Sequence, residues 1–270
     1  MPAPFDSRRP PAASRQLDRL RAVWERLGAD DPLWAVLSDP GKRGGRWLDE
    51  EFFATGEAEI AMQLAMASGW NLPRGHALAL DFGCGAGRLT RALASRFERV
   101  LGIDVSASMI ATARGLNAAL GNVEFRVNTA PDLAGVASHS VDFLCSHITL
   151  QHIPAPLAAD YVAEFFRVLA PGGVAVFQFV AANDASLRGR LYGAASNRWL
   201  NPLRRIVWRR RDVFEMHTLA ESELARRLHR WPQLRLLYSG EDGGAGAGWL
   251  GRRWIVAHTG SMAAVEQPAC

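Results

Sequence analysis

A doubly wound α/β fold, built on a mostly parallel sheet of seven strands, is the architecture this sequence predicts. Three observations carry it. Apolar runs of strand length recur near 77–81, 100–104, 123–127, 141–146 and 174–180, with helical spacing between them. A glycine turn joins the first run to its helix. The last two runs, Leu234–Tyr238 and Trp254–His258, are joined by a glycine-rich loop and no helix, which suits antiparallel neighbours.

Taken in chain order, residues 1–14 are rich in proline and arginine but lack the apolar core of a signal peptide, so a disordered, cytoplasmic tail is expected. Residues 15–74 read as an N-terminal helical cap. Leu17, Leu20, Val23, Trp24 and Leu27 recur at helical spacing, and Gly28 is expected to stop that helix. Asp30–Asp31–Pro32–Leu33–Trp34 reads as a turn and a helix start. After the glycine-rich turn Gly41–Gly45, a second long helix through Phe52, Phe53 and Glu57–Ala67 ends at Gly69 or Pro73. Residues 75–270 make up the α/β domain. Within it, 181–218 contains no regular strand–helix unit and reads as an insertion, followed by a helix over Leu219–Leu228.

The chemistry concentrates at Leu78–Thr90, L-A-L-D-F-G-C-G-A-G-R-L-T. A buried strand, a turn through Gly83, Gly85 and Gly87, and a helix start in that order form a nucleotide-sized site, because glycine lets a ligand approach the backbone. The spacing G-x-G-x-G departs from the G-x-G-x-x-G of dinucleotide folds. Asp81, two positions ahead of the first glycine, would repel a pyrophosphate and pair with an ammonium group. A nucleoside without phosphate is the expected ligand. The second apolar run ends in Asp104, seventeen residues after Gly87. A carboxylate there can accept both hydroxyls of a ribose lying across the first two strand ends. Asp104 or Ser106 can also cap the following helix, and Ser106 is the better cap.

From about Gly75 to Val180 these residues resemble the class I S-adenosylmethionine-dependent methyltransferases. The run 81–87, D-F-G-C-G-A-G, is similar to that family's glycine motif, and Asp104 to its ribose-binding acid. Ser140–Cys145 looks like its fourth strand and Leu169–Gly173 like the turn before its fifth. The resemblance implies a Rossmann-like methyltransferase fold whose final strand runs antiparallel between the fifth and sixth, with S-adenosylmethionine as cofactor. It places Asp81 near the cofactor's amino group, Gly83, Cys84, Gly85 and Gly87 beneath its methionine part and ribose, and Asp104 on the ribose. Val105 and Met109 would sandwich the adenine, although core packing accounts for them equally well. Thr129 and Ala130 follow the third strand, and Ser146 ends the fourth. Many relatives carry an acid where Thr129 stands; here the adenine amino group is left to Thr129, to Asp132 or to a backbone carbonyl.

On the acceptor side, His147–Ile148–Thr149–Leu150–Gln151–His152 follows the fourth strand and should face the transferred methyl. His147 and His152 are the candidate bases, since imidazole titrates near neutrality; L-Q-H-I-P is also a segment where a histidine serves packing. Neither has a visible orienting carboxylate in the sequence, and no metal site is expected. Arg46, Trp47, Phe52 and Phe53 are candidates for a lid, with packing on the sheet as the alternative for the two phenylalanines.

Composition limits the function classes. At 270 residues and 49% hydrophobic content the chain can bury one α/β core, which excludes a disordered protein. No apolar run approaches a transmembrane span. Cys84, Cys145 and Cys270 lack paired spacing, so neither a disulfide framework nor a zinc site is expected. The formal charge of +4 is carried almost wholly by arginine, Lys42 being the single lysine. Eight arginines crowd the segment 188–211, beside Tyr192, Trp199 and Trp208. That segment suits a solvated helix, an anionic acceptor or an anionic membrane surface contacted peripherally; nucleic acid is disfavoured for want of an RNA-binding module. The expected function is methyl transfer to a small-molecule, glycan or lipid-type acceptor, with oxygen favoured. The alternatives are a macromolecule (RNA or protein) methyltransferase and a non-catalytic cofactor-binding protein.

Overall fold

The computed structural model describes residues 11–194 and 215–260. Residues 1–10, Cys270 and the arginine- and tryptophan-rich stretch from Arg198 to Arg211 lie outside the described residues. The described chain forms helices α1 (Pro11–Asp30), α2 (Pro32–Val36) and α3 (Asp49–Ser68), then β1 (Leu78–Phe82), α4 (Arg88–Ala94), β2 (Arg99–Asp104), α5 (Ala107–Leu116) and β3 (Val123–Val127). The second half holds β4 (Val141–Ser146), α6 (Ala155–Val168), β5 (Leu169–Asn183), α7 (Leu187–Ala194), α8 (Glu221–Leu228), β6 (Leu234–Glu241) and β7 (Trp249–His258).

The seven strands form one sheet in the order β3-β2-β1-β4-β5-β7-β6. All pairs from β3 to β5 are parallel, and β7 is antiparallel to both of its neighbours. The expected doubly wound sheet with one reversed strand between the fifth and sixth is what forms. Strand order reverses between β1 and β4, and this is where such sheets bind ligands, outside the carboxyl ends of their strands.

Side-chain alternation sorts the core into two layers. Leu80 and Phe82 of β1, Leu144 of β4, Phe177 of β5 and Trp254 of β7 pack with α6 and α8 on one face. Ala79, Phe143, Cys145, Val176 and Ile255 pack with α3 and α4 on the other. Period-two patterning therefore holds even in strands buried on both faces. It also sends Asp81 and Cys145 to the α3/α4 layer.

Several boundaries differ from the sequence reading: α1 begins at Pro11, inside the expected tail, β5 runs on to Asn183, into the expected insertion, and β7 begins at Trp249. β5 begins at Leu169, so the A-P-G-G turn lies inside a bulged strand. α1 continues through Gly28 to Asp30. Gly28 ends nothing: a Cβ there would sit 2.6 Å from Ser108 Oγ and 2.9 Å from Met109 Cγ. Its missing side chain lets α1 cross directly over the start of α5. Glu25, one turn earlier, secures that crossing. Its carboxylate accepts from Ser106 Oγ at 3.1 Å, Ala107 N at 2.8 Å and Ser108 N at 3.2 Å. Ser106 caps α5 by accepting from Met109 N at 3.2 Å, as its position in the sequence suggested.

Glu25→Ala removes an acceptor from amides that have no helical partner and is expected to lower unfolding free energy by about 1–2 kcal/mol. A chemical-denaturation midpoint equal to wild type would show that α1 is held by its apolar face alone.

Candidate functional site

A cleft opens at the carboxyl ends of β1, β2 and β4, beneath α1 and α2. Its floor is the turn after β1. Gly83 (φ 77°), Gly85 (φ 51°) and Gly87 (φ 84°) all adopt left-handed backbone, which L residues with side chains reach only with strain. Space adds a second restriction. A Cβ on Gly83 would lie 2.2 Å from Thr149, and one on Gly85 would lie 2.5 Å from Val36 of α2. The turn is thus a cradle that any Cβ would fill.

At the β2 end, Asp104 Oδ2 accepts from Gly85 N at 3.0 Å and Oδ1 accepts from Ser106 N at 2.9 Å. This carboxylate lines the cavity and ties the glycine turn to the neighbouring strand. Burial raises its pKa, and the backbone amides work against that rise. Both oxygens keep a lone pair for a further donor. Val105 and Met109 line the same wall with Asn128, while Leu20 and Trp24 of α1 roof it.

Of the residues singled out from the sequence, the cavity brings together Gly83, Gly85, Asp104, Val105, Met109 and His147. Cys84 and Gly87 stand behind the turn. Ser146 is fully buried and Thr129 is exposed, and neither reaches the cavity. Ala130 is held through its carbonyl, which accepts from Tyr161 Oη at 2.7 Å. Asp81 is also outside the lining. Only 2% exposed, it accepts from Thr90 Oγ1 at 2.6 Å and from the Cys145 thiol at 3.7 Å. Burial pushes its pKa up to about 6, against lowering by Thr90 and by the Arg88 guanidinium.

The two histidines separate clearly. His152 Nδ1 lies 2.9 Å from the Glu215 carbonyl, and its Nε2 lies 3.3 Å from Gln151 Nε2. Gln151 in turn accepts from Gln178 Nε2 at 3.0 Å, and Gln178 Oε1 accepts from Ile148 N at 3.1 Å. This chain of buried amides holds the segment after β4, where Ile148 adopts φ 58°. Such a backbone is costly for a β-branched residue and persists only when its surroundings impose it.

His147 lines the cavity, and a carboxylate that sequence spacing did not reveal stands behind it. Glu59 Oε1 of α3 is 3.6 Å from His147 Nδ1. The same oxygen accepts from Gln63 Nε2 at 2.7 Å and pairs with Arg253 Nη2 of β7 at 2.8 Å. Arg253 also pairs with Asp242 at 2.6 Å. Burial holds the His147 pKa down to about 4, outweighing the pull of Glu59. The imidazole is therefore neutral at pH 7.

Arg88 was also missed in the sequence, although it directly follows the glycine motif; it is buried and lines the cavity. The proposed lid residues behave differently from expectation. Phe52 and Phe53 are buried beside Ala86, Trp47 donates its indole N–H to the Leu37 carbonyl at 3.1 Å, and Arg46 is exposed. None lines the cavity, and α1 and α2 supply its cover instead. Among the described residues, no group of three or more His, Cys, Asp or Glu side chains is placed to hold a metal ion. No described helix is long and apolar enough to cross a membrane.

These pKa values fix a pH response. Burial also lowers His152 to about 4, against an ordinary 6.5. Between those values the unfolded chain binds a proton that the folded chain refuses, so this group lowers stability as pH falls through that window. Asp81 acts in the opposite sense: its folded pKa of about 6 exceeds 3.8, so it lowers stability as pH rises between them. His152→Gln is expected to shrink the drop in urea midpoint between pH 7 and pH 5. An unaltered drop would show that His152 titrates freely in the folded chain.

Comparison with known proteins agrees with this architecture. A methyltransferase-domain family profile matches residues 79–173, from β1 into β5. A ubiquinone biosynthesis O-methyltransferase of Hahella chejuensis is 33% identical over 117 residues, which are 43% of this chain and 48% of that protein. A trans-aconitate 2-methyltransferase of Deinococcus radiodurans is 37% identical over 126 residues, 46% of this chain and 45% of that one. The chain thus spans about half the length of these curated relatives. A geranyl diphosphate C-methyltransferase from Streptomyces coelicolor, solved with S-adenosyl-L-homocysteine, shares the fold with a TM-score of 0.57 at 16% identity. That likeness covers 92% of this chain and 100% of the other. With the glycine turn, the Asp104 bridge and the single reversed strand in place, residues 79–173 match a methyltransferase domain, and the chain is similar in sequence over that region, and in fold, to the methyltransferases named above.

Proposed function

We propose that this chain transfers a methyl group from S-adenosylmethionine to a small-molecule acceptor, preferentially onto oxygen. One observation carries the reading: a single cavity is lined on one side by Gly83, Gly85 and Asp104 and on another by the neutral imidazole of His147. The residues fit the cofactor. The glycine turn keeps its left-handed backbone beside the cavity only because Cβ atoms are absent, and Asp104 offers lone pairs where a ribose would lie. The cavity lining pairs one acid, Asp104, with one buried base, Arg88, as a ligand carrying both charges would require. When bound, S-adenosylmethionine supplies a methyl group already activated by its positive sulfur.

The chain's own work is alignment and proton handling. Asp104 accepts the ribose hydroxyls, Val105 and Met109 flank the base, and Gly83 and Gly85 admit the ligand to the backbone. Leu20 and Trp24 exclude water, which strengthens every charge interaction inside. His147 takes the proton from an acceptor hydroxyl, and the Glu59 carboxylate, 3.6 Å from Nδ1, stabilises the imidazolium that forms. His152, held on both nitrogens, positions the segment and is not a base in this scheme. The relatives' names support a small molecule, and that of the ubiquinone biosynthesis O-methyltransferase supports oxygen chemistry.

Untargeted mass spectrometry tests this directly. Purified protein and isotope-labelled S-adenosylmethionine added to extract are expected to label a small-molecule hydroxyl or carboxyl. Label found only in RNA or protein would overturn the acceptor class. Asp104→Ala is expected to weaken calorimetric affinity for S-adenosylhomocysteine more than tenfold, since it removes charge-assisted bonds of about 1.5–3 kcal/mol each. His147→Ala is expected to cut kcat at least a hundredfold with cofactor affinity nearly intact; normal turnover would assign the proton to another group.

A further inference from the structure

Arg88 carries an unmet requirement. It is the first residue of α4, only 5% exposed, and its side chain lines the cavity. Its backbone is pinned, because Gly56 of α3 packs so closely that a Cβ would lie 2.3 Å from the Arg88 carbonyl oxygen. The guanidinium donates from Nη1 to Thr55 Oγ1 at 3.3 Å, while its buried Nε has no hydrogen-bond partner. None of the ion pairs among the described residues includes it.

The acids around it are already engaged. Glu59 serves Arg253 and Gln63, and Asp81 serves Thr90 and Cys145. They attract Arg88 only at longer range, and burial lowers its pKa against their pull. A buried guanidinium with free donors is expensive unless a planar anion meets it, and a carboxylate matches its forked geometry.

We propose that Arg88 is a carboxylate-recognition site in the cavity wall, serving either the amino-acid end of the cofactor or an acid group on the acceptor. The proposal rests on the methyl-transfer reading above. Both sources present the same chemistry, and in both the guanidinium forms two charge-assisted bonds, one of them through the orphaned Nε.

Calorimetry with three titrants separates the sources. S-adenosylhomocysteine and its decarboxylated analogue are each titrated into wild type, Arg88→Met and Arg88→Lys, and glutarate is titrated into each protein saturated with S-adenosylhomocysteine. If the cofactor supplies the carboxylate, wild type prefers S-adenosylhomocysteine over the analogue by at least tenfold. Arg88→Met loses that preference, and Arg88→Lys keeps part of it. If the acceptor supplies it, both nucleosides bind all three proteins alike, and glutarate binds the wild-type complex but not the Arg88→Met complex. Arg88→Met behaving as wild type in all three titrations would overturn the proposal. Wild type binding neither nucleoside would instead overturn the cofactor reading and, with it, this site. Thermal melting of the variants, with Arg88→Lys retaining the charge, separates lost recognition from lost folding.

Discussion

The turn between β1 and α4 is packed from three directions at distances that only hydrogen in place of Cβ allows. Thr149 presses on Gly83, Val36 on Gly85, and Asn117 with Phe125 on Gly87. These neighbours belong to the segment after β4, to the cap, and to α5 and β3. Everything that shapes the cavity therefore takes its position from five residues of backbone. The Asp104 carboxylate completes the arrangement by fastening Gly85 N to the tip of β2.

Legibility from the sequence followed the same division. Apolar runs and the glycine turn disclosed the sheet, and the resemblance to the methyltransferases supplied the place of its reversed strand. The runs and the turn are local, because strand, turn and helix lie within thirty residues. The His147 side of the cavity was hidden because its partners are distant in the chain. Glu59 is on α3 and meets His147 and Arg253 only through tertiary packing. Trp24 looked like an ordinary core position of an amphipathic helix, which it also is. Gly28 misled for a physical reason: a glycine that ends a helix and one that permits a close crossing look identical until the facing helix is known. Asp81 has the family's motif position, yet its side chain turns away to Thr90 because strand alternation leaves it no other layer.

Arg188 and Tyr192, at the start of the basic segment, illustrate a different restriction. Arg188 Nε donates to Tyr192 Oη at 2.8 Å, and the Tyr192 ring stacks on Trp249 of β7 with centroids 5.3 Å apart. Two members of that segment are thus occupied in fastening α7 to the start of β7.

Glu59 Oε1 is a shared resource, divided among a glutamine on its own helix, an arginine from the antiparallel strand and an imidazole beside the cavity. Whatever charge Arg253 withdraws from that oxygen is unavailable to His147. Any shift of β7 that slackened the arginine's grip would hand the acid back to the ring and make it more basic. A strand two places away in the sheet thereby adjusts, on top of the effect of burial, the proton affinity of a group beside the cavity.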